Sequence, residues 1–376
     1  MNVSRNITIL VGCLVLILVC IVFILGFTPL TWNTPASMDT VIQTGSTDLS
    51  PDGTSTTLDL RDRVVFIGGG TIDDNVASVL LFSMDDIDYA GMIVTDSDCI
   101  SRYAIQNQWR LQSYLSKTSY PVTLSNARDY NPFPWQYRND SFLVSRSGIF
   151  KGYTDNQQWP PYPSGEDFLK KELVHAVETD RPITLLITEP ITPLTDVLQE
   201  DPRLQNGIKK IIWTGGAIDV SGNLDPSTIP PELANKKAEW NVFWDPYAVD
   251  WLFKNTSVPI VLLPLDVTNK ATLTPGFMTA LQGQSLQYRY SNLTYRIYSL
   301  VSNEPYYEMW NTLTASYVTR PDLFEKPVTI NLSVITDGFE QGALVRDPRG
   351  RPVEVVMNIT NSNGFYDYVL TQFRRD

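Results

Sequence analysis

The sequence predicts an α/β fold, a mostly parallel sheet with helices on both faces, preceded by one N-terminal transmembrane helix. Three observations carry this. Short apolar runs alternate with helical stretches from residue 61 onward, a glycine-rich turn joins the first such run to a helix, and an uncharged segment of 21 residues lies near the start. The chain has 376 residues and 43% hydrophobic content, enough for one large core. Its formal charge of -12 excludes a phosphate-binding surface, which needs clustered Lys and Arg, so no nucleic-acid partner is expected. A neutral or cationic partner suits this balance.

Residues 1–6 read as a cytosolic tail. From Ile7 to Phe27 the run ITILVGCLVLILVCIVFILGF carries no charge over 21 positions. That matches the roughly 20 residues of a membrane-spanning helix and exceeds the apolar part of a cleaved leader, so it reads as a retained signal anchor. Arg5 and the amino terminus precede it, and the nearest charge beyond it is Asp39, which puts the N-terminus in the cytosol. The remainder then lies in the secretory lumen or outside the cell, as in a single-pass type II membrane protein. Asn139, Asn255, Asn292, Asn331 and Asn358 open N-x-S/T glycosylation acceptors, which fit that side of the membrane. Cys13 and Cys20 fall in the anchor, so Cys99 has no disulfide partner in the rest of the chain and reads as a small buried apolar residue. Residues 28–60, rich in Thr, Ser and Pro, read as a flexible stalk, and the folded domain as 61–376.

Within that domain VVFI precedes DDNVASVLLF, AGMIVT precedes ISRYAIQNQWRLQSYL, and ITLLIT precedes TPLTDVLQ. IKKIIWT, DPYAVDWLF and PIVLLPL continue the pattern. Alternation of this kind implies β-α units, amphipathic helices and a parallel sheet. Ligands of such sheets bind beyond the C-terminal strand ends. Residues 68–74, 95–98, 188–192 and 214–216 all fall there. The stretch from Asp129 to Gly165 reads as a long loop or small insertion. From Pro327 short strand-like runs lead to a final helical stretch, and Gln284 to Asn303 is a tyrosine-rich helical stretch suited to core or interface packing.

The turn GGGTIDD, Gly68 to Asp74, admits three readings. A dinucleotide fingerprint would need glycine where Asp73 stands, and a carboxylate there repels pyrophosphate. An asparaginase-like nucleophile would make Thr71 the attacking group, but the only histidine, His175, lies in a plain helical pattern. The third reading takes Asp73 and Asp74 as the point, either as helix-capping acids or as hard oxygen ligands for Ca2+ at a strand-end crevice.

Further residues bear on the choice. VVFIGGGTIDDNVA resembles the N-terminal signature of the inosine/uridine-preferring nucleoside hydrolases, an apolar strand followed by Asp-x-Asp-x-Gly-x-Asp-Asp-Ala. AGMIVTDSD with Asn107, ITLLITEPITPL, IKKIIWTGGAIDVSGN, AEWNVFWDPYAVDWLF, PIVLLPLDVTNKA and YYEMWNTLTASYVTRPDLF follow in the family's order, over roughly residues 63–370. The resemblance implies hydrolysis of the N-glycosidic bond of ribonucleosides, through an oxocarbenium-like transition state, with Ca2+ holding the ribose hydroxyls and the attacking water. It places the metal ligands on Asp74, on the carbonyl of Thr188 and on Asn311. It places substrate-binding positions on Asp73, Asn223, Glu239, Trp240, Asn241 and Trp310, with Asp245 reading as a helix cap. It also implies homo-oligomers.

Two departures stand out. The family aspartate that is both ligand and general base falls on Gly69, and the late aspartate ligand falls on Asn311, which brings no charge. The Ca2+ site is therefore expected to be weak and turnover impaired, with a non-catalytic binder of nucleoside or ribose, or a structural subunit of a membrane assembly, as the other outcome. Asp98, at the end of the second strand, is expected to restore part of the missing catalytic and substrate-binding charge.

Overall fold

The structure, a computed structural model, describes residues 61–376 except 129, 136–137, 154–160, 225, 228 and 232–233. The anticipated tail, anchor and stalk lie outside the described residues. Among the described residues no helix is long and apolar enough to cross a membrane.

Strand β1 (Asp62–Gly68) lies inside the sheet and pairs in parallel with β2 (Ile87–Val94) and β4 (Ile183–Ile187). β3 (Val122–Leu124) adds beyond β2, while β5 (Ile208–Thr214) and β6 (Ile260–Leu263) continue beyond β4. β9 (Arg351–Val355) lies parallel beside β6. β7 (Val328–Val334) runs antiparallel to β9 and to β8 (Leu344–Arg346) and so forms a mixed edge. Among the described residues the order is β3-β2-β1-β4-β5-β6-β9-β7-β8. The chain steps outward from β1 to β3 and then restarts on the other side at β4. The crevice at such a reversal is where a doubly wound sheet receives its ligand.

The helices are α1 (Ile72–Ser83), α2 (Ser101–Leu115), α3 (Asn139–Arg146), α4 (Gly165–Glu178) and α5 (Thr192–Glu200). There follow α6 (Trp240–Phe243), α7 (Pro246–Asn255), α8 (Leu265–Thr268), α9 (Pro275–Ser285), α10 (Arg289–Tyr298), α11 (Trp310–Tyr317) and α12 (Ser362–Gln372). Side chains alternate along a strand, so β1 sends Val64 and Phe66 to one face and Val65 and Ile67 to the other. The first face packs on α1, α2, α9, α10, α11 and α12, the second on α4, α5 and α7. Helices on both faces explain why the C-terminal halves of the inner strands are buried and mostly apolar rather than alternating.

One expectation needs correction. Helix α1 is not amphipathic: all twelve of its residues are buried, because α10 and α11 cover the side turned away from the sheet. The stretch 129–165, read as a long loop or small insertion, holds α3, and Asp140, at its start, accepts a hydrogen bond from the backbone of Ile72 at 3.3 Å. His175 is an exposed residue of α4, and Cys99 is a buried free thiol.

Candidate functional site

Thr71 ends the glycine turn and caps α1. Its Oγ1 accepts from the Asp74 backbone at 3.1 Å and donates to Asp74 Oδ2 at 2.7 Å, while the Thr71 backbone N–H also reaches Asp74 Oδ2 at 3.2 Å. This reciprocal pair is a capping box, and it aims the Asp74 side chain at the ends of β1 and β4. There Asp74 Oδ1 accepts from Thr188 Oγ1 at 2.9 Å and from Asn311 Nδ2 at 2.9 Å. Positions 114 and 237 residues away are thus gathered around one carboxylate oxygen. Burial pushes the Asp74 carboxyl up to about 6, against the hydrogen bonds from Thr71 and Thr188.

Asp73 points elsewhere. Its Oδ1 accepts from Tyr298 Oη at 2.5 Å and Thr312 Oγ1 at 2.6 Å, and its Oδ2 from the backbone N–H groups of Asn311 at 2.6 Å and Thr312 at 3.1 Å. Both oxygens are engaged by α10 and by the first turn of α11, whose own N-cap residue, Met309, supplies no side-chain bond. Asp73 therefore does the capping for a helix remote in sequence. Burial still pushes its carboxyl above the usual range, and the four donors oppose that push.

The space above Gly69 belongs to other acids. A Cβ on Gly69 would collide with Asp98 Oδ1 and Glu189 Oε1, which approach from the ends of β2 and β4. Glu189 is 1% exposed, its carbonyl accepts from Trp213 Nε1 at 3.0 Å, and its Oε2 accepts from Ser97 Oγ. Glu189 Oε1 and Asp98 Oδ1 are buried atoms with no donor from outside the pair, and the two carboxyls hydrogen-bond each other, which requires one of them to be protonated. Burial, then the Asp74 charge, holds Asp98 well above the usual carboxylate range; burial, then Asp98 and Asp74, does the same to Glu189. The sequence reading did not single out Glu189. Its one signal was an acid placed directly after the apolar strand ITLLI and Thr188.

Across the crevice, Asn241 Nδ2 donates to the carbonyls of Thr188 at 3.0 Å and Thr214 at 2.9 Å, tying β4 to β5. Glu239 caps α6, accepting from the Asn241 backbone at 3.0 Å, and takes the N–H of Gly216 at 2.8 Å. Gly216 adopts φ 73°, the left-handed region that favours glycine and turns its N–H to the acid. Burial pushes Glu239 up to about 7 against these backbone donors. Asn223 Oδ1 accepts from the Trp240 backbone at 3.2 Å. The Trp240 ring is buried against Phe133, centroids 4.6 Å apart, and Trp310 Nε1 donates to Asn269 Oδ1 at 3.0 Å. Asp245 caps α7 through the Ala248 N–H at 3.0 Å.

Calcium takes oxygen ligands. Of the set implied by resemblance, Asp74 Oδ1 already accepts two donors, Asn311 turns its amide N–H toward it, and the Thr188 carbonyl accepts from Asn241. Those groups meet, but they satisfy one another. Asp98 and Glu189 add two further carboxyls within reach of Asp74, bonded to each other, and carboxylates are hard oxygen donors of the kind such an ion takes.

The family described as inosine-uridine preferring nucleoside hydrolase matches residues 67–367. A crystal structure of such a hydrolase from Bacillus anthracis superimposes with a TM-score of 0.73 at 31% identity, covering 83% of this chain and 99% of that one. The non-specific ribonucleoside hydrolase RihC of Shigella dysenteriae is 30% identical over 195 residues, 50% of this chain and 59% of the relative. The probable uridine nucleosidase 2 of Arabidopsis thaliana is 25% identical over 218 residues, 57% of this chain and 62% of the relative. These alignments span about 60% of the curated relatives' length. The fold is that of a mixed α/β protein of the nucleoside hydrolase type. The chain belongs to the inosine-uridine preferring nucleoside hydrolase family.

Proposed function

We propose that this protein hydrolyses the N-glycosidic bond of ribonucleosides in the crevice at the ends of β1 and β4, with reduced turnover. One observation carries the reading: Asp74 is held among Thr188 and Asn311, beside two more acids, in a fold whose relatives are nucleoside hydrolases. Bond cleavage leaves the electron pair on the base and builds positive charge on the ribose. Buried carboxylates stabilise that charge far more than they stabilise a neutral substrate. A divalent cation, when bound, would supply a water of lowered pKa. The ionised member of the Asp98–Glu189 pair accepts the proton of an attacking water as its oxygen joins the anomeric carbon, while the departing base takes a proton from solvent. Turnover is reduced because β1 brings no carboxylate at Gly69 and the acids come from its neighbours.

A second reading, a protein that binds nucleoside or ribose without turnover or serves as a subunit of a membrane assembly, is favoured by the engagement of Asp73, Glu239 and Asn223 with the backbone N–H groups of Asn311, Gly216 and Trp240. Incubating the full chain with inosine and with uridine in excess Ca2+, and assaying free ribose, separates the two. Ribose above the protein-free control supports hydrolysis; its absence, with nucleoside binding retained, supports the binder. Residues 7–27 as a type II anchor and self-association into homo-oligomers belong to the same proposal. Protease protection in sealed vesicles and sedimentation of the detergent-solubilised chain test them.

A further inference from the structure

We infer that Asp98 alone accepts the proton of the attacking water, and that Ser97 and Glu189 are positioning residues that hold Asp98 to that task. The inference rests on the proposed hydrolysis and divides its work among named side chains. Three carboxyls meet at the strand ends, one oxygen of each within 4.8 Å of the other two, but they differ in what already holds them. Asp74 has donors on both oxygens, Thr71 on Oδ2 and Thr188 and Asn311 on Oδ1. Glu189, 1% exposed, is fixed at both ends: Ser97 Oγ donates to its Oε2, and Trp213 Nε1 donates to its main-chain carbonyl at 3.0 Å. Asp98 is partly exposed, and among the described residues no donor reaches its Oδ2.

Ser97 sets the direction of the pair. Its hydroxyl has one proton, given to Glu189, so Thr95 Oγ1, 2.9 Å away, donates to Ser97, and a chain of donors runs from Thr95 through Ser97 to Glu189. With Oε2 held in this way, Oε1 faces Asp98 Oδ1 above Gly69. The two carboxyls share one proton. Burial pushes both up, but the bond between them adds to that push at Glu189 and opposes it at Asp98, where Arg138, 3.9 Å from Asp96, opposes it as well. The proton therefore stays on Glu189 Oε1 and the charge on Asp98. The Ser97 bond persists, since the carbonyl oxygen of an acid accepts from a hydroxyl as a carboxylate does. Water then gives its proton to Asp98 Oδ2 while its oxygen bonds to the anomeric carbon and the base leaves with the electron pair. Asp98 returns the proton to solvent, from which the base is protonated.

Two measurements on the full chain test this. The first needs no turnover: infrared spectra at neutral pH of protein carrying carbon-13 in its glutamate or its aspartate carboxyls. A protonated-carboxyl band that shifts with labelled glutamate, vanishes in E189Q and moves to higher frequency in S97A, where the Glu189 carbonyl oxygen loses its donor, is expected. A band that shifts with labelled aspartate and vanishes in D98N would overturn the inference, as would E189Q keeping every such band of the wild type. If E189Q does not fold, the glutamate band in S97A carries the decision, and a band that stays in place overturns it. The second measurement is ribose release from uridine in excess Ca2+. D98N should lower kcat by about 10²–10⁴-fold, and E189Q by at most about tenfold, because glutamine keeps an N–H for Asp98 and an oxygen for Ser97. S97A should lower kcat with KM unchanged. E189Q as slow as D98N would refute this division of roles alone, whereas wild type that releases no ribose would refute the hydrolysis and the inference with it.

Discussion

Replacing Asp73 by alanine should destabilise the protein by about 3 to 5 kcal/mol, whereas Asp73→Asn should cost about 1 to 2 kcal/mol. The difference follows from what each change leaves behind. Alanine removes the acceptor for two backbone N–H groups at the start of α11 and for the hydroxyls of Tyr298 and Thr312, at 2.5 to 3.1 Å. Loss of a helix cap costs about 1 kcal/mol, and each bond to a charged acceptor about 1.5–3 kcal/mol, though the four are not additive. Asparagine keeps one oxygen for the two backbone donors. Its amide faces two hydroxyls, which rotate to accept from it. Urea unfolding of wild type and both variants reads the effect as a shift in midpoint at unchanged slope. Should D73A unfold within about 0.5 kcal/mol of wild type, or should D73N keep full stability yet lose nucleoside binding, Asp73 would be a ligand group and not the pin between α1, α10 and α11.

Thr71→Val keeps the shape of Thr71 but deletes the cap of α1 and one donor to Asp74; a loss of about 1–2 kcal/mol is expected, largely recovered by Thr71→Ser, again by urea midpoint. Glu239 and Asp140 have folded pKa values pushed up by burial to about 7 and about 6. For acids with raised folded values, stability is fully present below the unfolded pKa near 4 and is lost as pH rises through 6 to 7. The cation-free chain should therefore melt lower at pH 7.5 than at pH 4.5, by on the order of 3 kcal/mol from Glu239 alone at about 1.4 kcal/mol per unit. A melting temperature that rises over that interval would contradict the assignment. Asn292 lies in an N-x-T acceptor, but its Oδ1 accepts from Tyr114 at 3.1 Å and its Nδ2 donates to Ser285 at 3.2 Å. Expressed through a secretory pathway, the chain should carry glycan at exposed Asn139, Asn255 or Asn331 and not at Asn292, as peptide mass mapping would show.

The interior strands were legible because β1, β2, β4, β5 and β6 each carry at least four consecutive buried, mostly apolar residues, as strands covered on both faces do. The antiparallel edge was not, since strand direction depends on partners distant in sequence. Asp74, Thr188 and Asn311 were found by resemblance, and the structure brings them into hydrogen-bond contact. Asp73 was read as substrate-binding by resemblance to the family motif. Its actual partner, Tyr298, lies 225 residues away in a tyrosine-rich stretch read as packing, and nothing local marks that hydroxyl. Glu189 escaped for a related reason. Residues 188–192 were placed at the crevice, but nothing in the sequence separates Glu189 from its neighbours, and its burial arises only when Ser97, Asp98 and Trp213 close around it. Asn241 was placed on the ribose, whereas its amide also binds two strand-end carbonyls, a contact set by the spacing of β4 and β5.

The claim on which the rest depends is that acids from the strands flanking β1 perform the work for which Gly69 has no side chain. The most direct measurement is the rate of ribose release from uridine by the full chain and by the D98N/E189Q double variant, in excess Ca2+, with circular dichroism confirming that both are folded. Release by the wild type that drops to the protein-free background in the double variant is the expected result. Equal release by both proteins would contradict it.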